Sequence, residues 1–387
     1  MFSLRAVVIS DTLNQVGGAE RVGGAVIDLL NNRMGFKVSL YTVEKLRNGR
    51  ITSQNLTSHN LPFLGRLGMR FLPAKTFFLS AVEFLAGLNS KASLVVNTVG
   101  MSSTCLLGDL IYVHFPNHYY WARPDTRRKA YSYGNTLRKT YSYGNGVIWN
   151  ALSQLIRSRA DLPRFVVANS VYTLNAIKSV IASSEMRRRT FFEVIYPPVE
   201  SKKIVESVSP FAKRYDVVVT VSRISPEKNL VLIPQIAEQL PFVTFVIIGR
   251  VQDYSYYRVL RRLIEESHAE NVRLYTDLDD ASKFDILTTS KVYLHTTPGE
   301  HFGISIVEGM ASGLIPIVHD SGGQREIVPQ ENRYKTAEEA AEKIRIAVSG
   351  WTREISDEYV KSALKFDLQE FQGKMAAVIR SLAACAN

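Results

Sequence analysis

Residues 291–319 read KVYLHTTPGEHFGISIVEGMASGLIPIVH. Two largely apolar runs in this segment, Lys291–His295 and Leu314–His319, have the length and composition of strands buried in a parallel sheet. Between them, a loop leads into a stretch whose apolar residues recur at helical spacing. A strand, a loop, a helix and a second strand in this order form one unit of a parallel sheet. The segment therefore predicts an α/β fold.

The same alternation of strands and helices extends over the chain in two blocks. In the first block we predict strands at 4–9, 37–42, 93–97, 110–114, 165–168 and 194–199. In the second block we predict strands at 216–221, 242–248 and 272–275, in addition to the two in the segment quoted above. Two such blocks predict two doubly wound, Rossmann-like domains. Because proline cannot continue a strand ladder, we place the boundary after Pro197-Pro198, with domains at 1–198 and 199–365. A C-terminal helix at about 366–387 is expected to return to the first domain.

The composition is that of an ordinary soluble globular protein, with 387 residues, 46% of them hydrophobic and 21% charged. This excludes a largely disordered chain and a fibrous repeat. No apolar run approaches the ~18 residues of a transmembrane helix, and the first apolar run is too short for a signal peptide. Two cysteines, Cys105 and Cys385, cannot form a disulfide framework, which fits a reducing compartment. We expect a soluble or peripheral intracellular protein.

The net charge of +11 comes entirely from the first half of the chain. Residues 1–200 contain 24 Lys and Arg against 11 Asp and Glu, whereas the remainder contains 23 against 25. This asymmetry indicates an anionic partner for the first half: nucleic acid, acidic lipid or a phosphorylated substrate. Residues 123–164 combine basic and aromatic side chains with a short duplicated Tyr-Ser-Tyr-Gly-Asn motif. Such aromatic residues stack on bases or lie at a membrane interface, so nucleic-acid binding is one alternative function.

Two segments carry groups suited to a diphosphate. Gly17-Gly18 stands between the first strand and a helix, where backbone amides can approach a phosphate. A plain tight turn explains this pair equally well, and the spacing differs from the dinucleotide-binding fingerprint. Arg223 and Lys228 follow the strand at 216–221, on a loop that leads into a helix at about Asn229. Open α/β sheets bind ligands at this edge, so two cations there are suited to clamp a diphosphate.

The segment quoted first carries the strongest signal. Gly303 permits close backbone approach, and the amides of Ile304 and Ser305 open the helix that follows. Glu300 precedes the helix and Glu308 lies within it, with seven residues between them. Carboxylates at these positions can accept hydrogen bonds from sugar and ribose hydroxyls. A single glutamate would more simply be a solvated side chain.

Together, these motifs resemble the retaining glycosyltransferases of the GT-B fold, family four. Glu300 and Glu308, with Phe302-Gly303 between them, match that family's E-x7-E signature, and the other motifs follow in family order across nearly the whole chain. The closest resemblance is to the cytoplasmic-face α-1,2-mannosyltransferases that extend lipid-linked oligosaccharide. The segments that carry it are 112–116, 168–170, 196–199, 300–304 and 319–323.

The resemblance implies transfer of a hexose, with retention, from a nucleotide-sugar to a polyprenyl-linked glycan. Mannose from GDP-mannose is the preferred donor, although nothing in the spacing separates GDP from UDP. The first domain would bind the acceptor and the second the nucleotide-sugar, with no metal or other cofactor. The implied catalytic residues are Glu300 and His114. The implied donor-binding residues are Gly17, Gly18, Arg223, Lys228, Phe302, Gly303, Ile304, Ser305 and Glu308.

The resemblance also favours docking of the basic half on an anionic membrane at the cytoplasmic face over nucleic-acid binding. A phosphorylase or an epimerase stays open as an alternative, because both use the same fold. Asp277-Leu278-Asp279 resembles the metal motif of the other glycosyltransferase fold, but we interpret it as a solvated turn or helix cap. The spacing of His295, His301 and His319 does not predict a zinc site.

Overall fold

The computed structural model describes residues 4–10, 13, 17–42, 56–60, 92–100, 108–116, 163–180, 189–209, 213–267 and 270–384. The chain divides into two compact units, Met1–Pro198 with Phe371–Asn387, and Val199–Glu370. The basic segment 123–164 lies outside the described residues except for its last two.

The first unit contains a parallel sheet of seven strands in the order β3-β2-β1-β4-β5-β6-β7. The strands are β1 Arg5–Ile9, β2 Lys37–Thr42, β3 Leu56–Asn60, β4 Leu94–Asn97, β5 Leu110–Val113, β6 Phe165–Ala168 and β7 Phe191–Val194. Helix α1, Gly18–Asp28, follows β1 and runs into a wider π-helical turn, Leu29–Arg33; helix α2, Val171–Val180, follows β6. The parallel strand order, with α1 between β1 and β2 and α2 between β6 and β7, agrees with the predicted doubly wound arrangement.

The second unit contains a parallel sheet of six strands in the order β10-β9-β8-β11-β12-β13. The strands are β8 Tyr215–Val221, β9 Thr244–Gly249, β10 Val272–Thr276, β11 Ser290–His295, β12 Ile315–His319 and β13 Arg333–Tyr334. The helices are α3 Ser201–Ser207, α4 Leu232–Ala237, α5 Tyr254–Glu266, α6 Asp280–Thr289, α7 Ile304–Ala311, α8 Ala337–Ser349 and α9 Arg353–Ala363. Helix α10, Leu368–Ala384, begins in this unit and groups with the first unit from Phe371 onward.

The strand predicted at 194–199 was wrong, because β7 ends at the first of these residues. Ile195 still donates its amide to Ala168 at 3.0 Å, but the two prolines that follow have no N–H to continue the ladder. Strands β3 and β13 were not predicted. Both lie at sheet edges, and β3 has a single large apolar residue in its sequence LTSHN, so neither carries the apolar run of a buried strand.

The core of the second unit lies between its sheet and the flanking helices. Apolar residues of the central strands and of α4 and α8 are almost fully buried there, including Val218, Phe245, Val292, Leu294, Ile317, Ile233 and Ile344. Burying one large aliphatic side chain contributes about 1.5–3 kcal/mol. This core holds the carboxyl ends of the strands, where the predicted site residues lie, in a fixed register.

Arg214 lies at the amino-terminal ends of the strands in the same sheet, opposite the predicted site residues. Its guanidinium donates to the carbonyls of Ser290 at 2.8 Å and Ser312 at 2.7 Å, and it lies 5.5 Å from the ring centre of Trp351. Burial, and then the charge of Arg353, lower the pKa of Arg214 to about 10, which still leaves it charged at neutral pH. A half-buried arginine thus ties the start of β11 to the end of α7.

Candidate active site

Arg223 lies on the loop after β8, at the carboxyl edge of the second sheet as predicted. Its Nη1 donates to Oε1 of Gln252 at 2.9 Å, and its Nη2 lies 3.7 Å from Oε1 of Glu227. The side chain is 58% exposed. Two neighbours therefore orient the guanidinium, while most of its surface is available to a ligand.

The helix after this loop begins later than predicted. Residues 226–228 form a 3-10 turn, and Asn229, with φ of 51°, takes the left-handed conformation that asparagine tolerates. Helix α4 therefore starts at Leu232 rather than at about Asn229. The turn fixes Lys228, whose carbonyl accepts a hydrogen bond from Oγ1 of Thr296 at 2.7 Å.

Lys228 and Glu300 form an ion pair. Nζ of Lys228 donates to Oε2 of Glu300 at 2.8 Å, and the two side chains are 16% and 17% exposed. Oε1 of Glu300 accepts from the backbone amide of His301 at 3.0 Å. Nε2 of His295, at the end of β11, lies 3.6 Å from Oε2. The carboxylate is thus held at both oxygens within a small polar cluster.

The cluster fixes the charge on each member. Burial alone would raise the pKa of Glu300, but the charges of Lys228, His295 and His301 and the hydrogen bond from Lys228 lower it well below its usual range. Burial, followed by the charge of Lys228 and against that of Glu300, lowers the pKa of His295 to about 4. At neutral pH Glu300 is therefore a carboxylate and His295 a neutral imidazole.

The loop that carries Glu300 is held by the loop after β12. The amide of Gly299 donates to Oγ of Ser321 at 2.7 Å, and the amide of Gly323 donates to the carbonyl of Glu300 at 2.7 Å. Gly322, with φ of 73°, lies so close that a Cβ there would be 2.3 Å from the same carbonyl oxygen. A glycine is therefore needed at position 322 for this close approach.

Gly303, with φ of 109°, is the N-cap of α7. The amides of Ile304 and Ser305 lie in the first turn, where amides have no acceptor within the helix and the helix dipole favours an anion. The side chain of Phe302 is 2% exposed and packs edge-on against Phe366 at 5.4 Å between ring centres, so a donor contact of this residue, which stays a prediction, would involve its backbone. The side chain anchors the loop.

Glu308 lies on α7 beside Tyr293 of β11. The hydroxyl of Tyr293 donates to the carbonyl of Val221 at 3.0 Å. Burial raises the pKa of Tyr293, and the charge of Glu308 raises it further. Gly309 allows this packing, since a Cβ there would be 2.6 Å from the tyrosine ring. Tyr293 thus connects the helix of the second glutamate to the end of β8.

The remaining predicted residues belong to the first unit. Gly17 is the N-cap of α1 and Gly18 is its first residue. The carboxylate of Glu20 folds over Gly17, where a Cβ would be 2.3 Å from it. His114 follows β5, and its Nε2 lies 3.2 Å from the carbonyl of Thr98, which follows β4. Both features lie at the carboxyl edge of the first sheet.

The interpretation of Asp279 as a helix cap is confirmed. Its Oδ1 accepts from the amide of Ser282 at 2.8 Å, at the start of α6. Asp277 is exposed and lies 3.7 Å from Arg250.

The sequence reasoning missed three contributors to the site: Gln252, His295 and Ser321. His295 was considered only as a zinc ligand. Its position at the end of a buried strand, five residues before Glu300, is the signal that could have identified it.

Comparisons with known proteins agree with this geometry. Residues 201–365 match the family model described as Glycosyl transferases group 1. The GDP-Man:Man(3)GlcNAc(2)-PP-Dol alpha-1,2-mannosyltransferase of Dictyostelium discoideum is 26% identical over 56% of this chain and 46% of its own length. The Neurospora crassa protein of the same name is 34% identical over 34% of this chain and 27% of its own length. The chain thus spans less than half the length of either relative.

The whole chain also resembles solved structures. Sucrose-phosphate synthase from Thermosynechococcus elongatus superposes with a TM-score of 0.69 at 14% identity, over 99% of this chain and 100% of the other. The fold is therefore GT-B, as predicted. The match of residues 201–365 to the model of group 1 glycosyltransferases agrees with the family resemblance drawn from the motifs.

Proposed function

We propose that this protein is a retaining glycosyltransferase that moves a hexose from a nucleotide-sugar to a lipid-linked or other glycan. The observation that carries the proposal is the ion pair of Lys228 and Glu300, at the sheet edge that also carries Arg223. A cation for a diphosphate and an ionised carboxylate for a sugar are thereby held together. The names of the relatives support mannose from GDP-mannose as the donor and a polyprenyl-linked glycan as the acceptor.

Different residues stabilise the two opposite charges that develop when the donor bond breaks. Breaking the sugar–phosphate bond builds negative charge on the departing diphosphate and positive charge on the sugar ring. Arg223, Lys228 and the first amides of α7 stabilise the diphosphate, because fixed cations and dipoles lower the energy of developing charge. Glu300, ionised at neutral pH, orients the sugar and stabilises its positive charge. Glu308 accepts hydrogen bonds from the ribose hydroxyls, and His114 donates to the sugar.

Donor binding is tested by a thermal-shift panel of GDP-, UDP- and ADP-sugars. Arg223→Ala and Lys228→Ala should each weaken binding of the stabilising donor about ten- to a hundredfold, since each removes a charge-assisted hydrogen bond of about 1.5–3 kcal/mol. Arg261→Ala is a matched control, because Arg261 is 57% exposed and pairs with a glutamate four residues on, as Arg223 does. Parent-like binding by both site variants would place the diphosphate elsewhere.

Turnover tests the catalytic assignments. Glu300→Ala and His114→Ala should lower kcat far more than donor affinity, the pattern of groups that act mainly in the transition state. An α-linked donor should give an α-linked product by NMR. A β-linked product, or full turnover by either variant, would contradict the mechanism. Release of sugar phosphate from a glycan when inorganic phosphate is present would instead identify a phosphorylase. We also propose that no metal takes part, so turnover should survive chelation by EDTA.

We further propose that the basic first half docks on anionic lipid at the cytoplasmic face of a membrane. In the part of the chain that the structure describes, none of the helices is long and apolar enough to cross a bilayer. Each basic residue near an anionic surface contributes about 1 kcal/mol. Replacing Arg127, Arg128 and Lys129 by Glu should abolish sedimentation with anionic liposomes at low salt and preserve donor binding. Unchanged sedimentation would assign docking to another surface, and retention of a random oligonucleotide would favour nucleic acid.

A further inference from the structure

The carboxylate of Glu300 has more partners than an ion pair needs. A backbone amide, that of His301, holds Oε1 at 3.0 Å. Two side chains share Oε2: Nζ of Lys228 lies 2.8 Å from it, and Nε2 of His295 lies 3.6 Å from it. In this arrangement Lys228 makes the hydrogen bond and His295 stands beside it.

In the proposed reaction, Glu300 and the donor diphosphate compete for the same lysine, Lys228. The donor diphosphate carries two negative charges and draws the ammonium away from Glu300. A carboxylate buried as this one is would then lose its charge partner, which is strongly unfavourable. His295 is the side chain placed to replace it. It is 3% exposed, and its carbonyl accepts from the hydroxyl of Tyr334 at 3.1 Å, which fixes the end of β11.

Burial and the charge of Lys228 both oppose protonation of His295, and the second of these effects is removed when Lys228 moves away. Besides burial, the charges of Lys228 and His319 favour the neutral ring, whereas Glu300 and an interaction with the side chain of Gln324 favour the imidazolium. Among the described residues, Nδ1 of His295 and Oε1 of Gln324 are both buried without a hydrogen-bond partner. A protonated ring would have one N–H for Glu300 and one for Gln324.

We propose that His295 is a positioning residue for Glu300: when the donor diphosphate draws Lys228 away, His295 takes one proton from solvent and becomes the partner of Oε2. No covalent bond changes in this step. The proton returns to solvent when the diphosphate leaves and Lys228 pairs with Glu300 again. This role rests on the proposed function, since it requires a donor diphosphate at Lys228.

The direct test is NMR titration of the histidine rings in the parent, with and without a saturating nucleotide-sugar from the thermal-shift panel. The pKa of His295 should rise by about 1–3 on binding, because a nearby cation is removed and anions are added. Calorimetry at pH 6 in buffers of different ionisation enthalpy should show proton uptake on donor binding. If the pKa of His295 rises by about two, the uptake should be roughly half a proton per bound donor. The diphosphate of a nucleotide-sugar does not itself titrate near this pH.

Kinetics of His295→Gln provide the second readout, because glutamine can donate to Glu300 but cannot take the charge. The kcat of the parent should fall between pH 6 and pH 8, whereas that of the variant should be at least about tenfold lower and constant, with little change in donor KM. His59→Gln, on the exposed edge strand β3, is the matched control and should keep the parent profile.

The outcomes separate this role from the function on which it rests. Donor binding and turnover with an unchanged pKa of His295, or equal proton uptake by His295→Gln, would refute the positioning role and leave the glycosyltransferase assignment intact. A parent that binds no nucleotide-sugar would refute both. If His295→Gln fails to fold, the titration of the parent still decides.

Discussion

Replacing Gly249 by alanine tests how the end of β9 holds the loop of Arg223. A Cβ at this position would lie 1.7 Å from the carbonyl oxygen of Ser222, whereas real Cβ atoms essentially never approach within 3.0 Å. Ser222 must therefore move by about 1.3 Å. That movement breaks the hydrogen bond from its amide to the carbonyl of Ile248, now 2.9 Å long. Overpacking and the lost hydrogen bond together should cost about 2–4 kcal/mol.

The assay is urea denaturation followed by tryptophan fluorescence, together with donor affinity from the thermal-shift titration. Gly373→Ala is the matched control, because Gly373 is exposed in α10 and a Cβ there would meet nothing within 4 Å. The control should stabilise by about 0.5–1 kcal/mol, as alanine does inside a helix. Gly249→Ala should also bind donor at least about tenfold more weakly, since Arg223 moves with Ser222. Parent-like stability and affinity of Gly249→Ala would refute this account of the loop.

Three further changes test the second unit by urea denaturation. Gly309→Ala should destabilise it by about 1–3 kcal/mol, because its Cβ would lie 2.6 Å from the ring of Tyr293; parent-like stability would contradict this packing. A double-mutant cycle of Lys228→Met and Glu300→Gln should give a coupling of about 0.5–3 kcal/mol, and additive effects would show that the ion pair contributes nothing. The pKa of His295, about 4 when folded, lies below that of an unfolded histidine, so the unfolded chain binds more protons between these values. Stability should therefore fall by about 2 kcal/mol from pH 8 to pH 5, and His295→Gln should remove that loss; an equal loss in both proteins would disprove it.

The sequence alone predicted the bounds of those strands that form a distinct apolar run. Strand β6 lies at the predicted 165–168 and β2 at the predicted 37–42, because each is an apolar run with clear ends. The start of α4 was misjudged, because Asn229 can begin a helix or take the left-handed conformation, and the choice depends on contacts of Lys228 across the sheet. Edge strands such as β3 are defined by their neighbour more than by their own sequence.

In the candidate site too, the sequence predicted what depends on neighbouring residues and missed what depends on contacts across the sheet. Spacing indicated that Glu300 lies on a loop and Glu308 on the helix after it, and the structure places them there. The pairing of Glu300 with Lys228, 72 residues away in sequence, depends on β8 and β11 being neighbours in the sheet, which spacing along the chain does not show. His295, by contrast, lies five residues before Glu300 at the end of a buried strand, so its place in the cluster could have been recognised from the sequence.

The ion pair explains how the site tolerates an ionised carboxylate before a donor arrives. In the mechanism proposed above, Glu300 carries its charge to stabilise a positive sugar ring, yet an unpaired buried carboxylate would be protonated instead. Lys228 lowers the pKa of Glu300 in the free protein, and in the proposed mechanism it is also the cation that binds the diphosphate. In the proposed reaction, His295 partners Glu300 when the diphosphate takes Lys228, and the developing charge on the sugar adds a second cationic partner at the moment of bond cleavage. The carboxylate therefore interacts more strongly with the transition state than with the bound donor, which is the condition for accelerating the reaction.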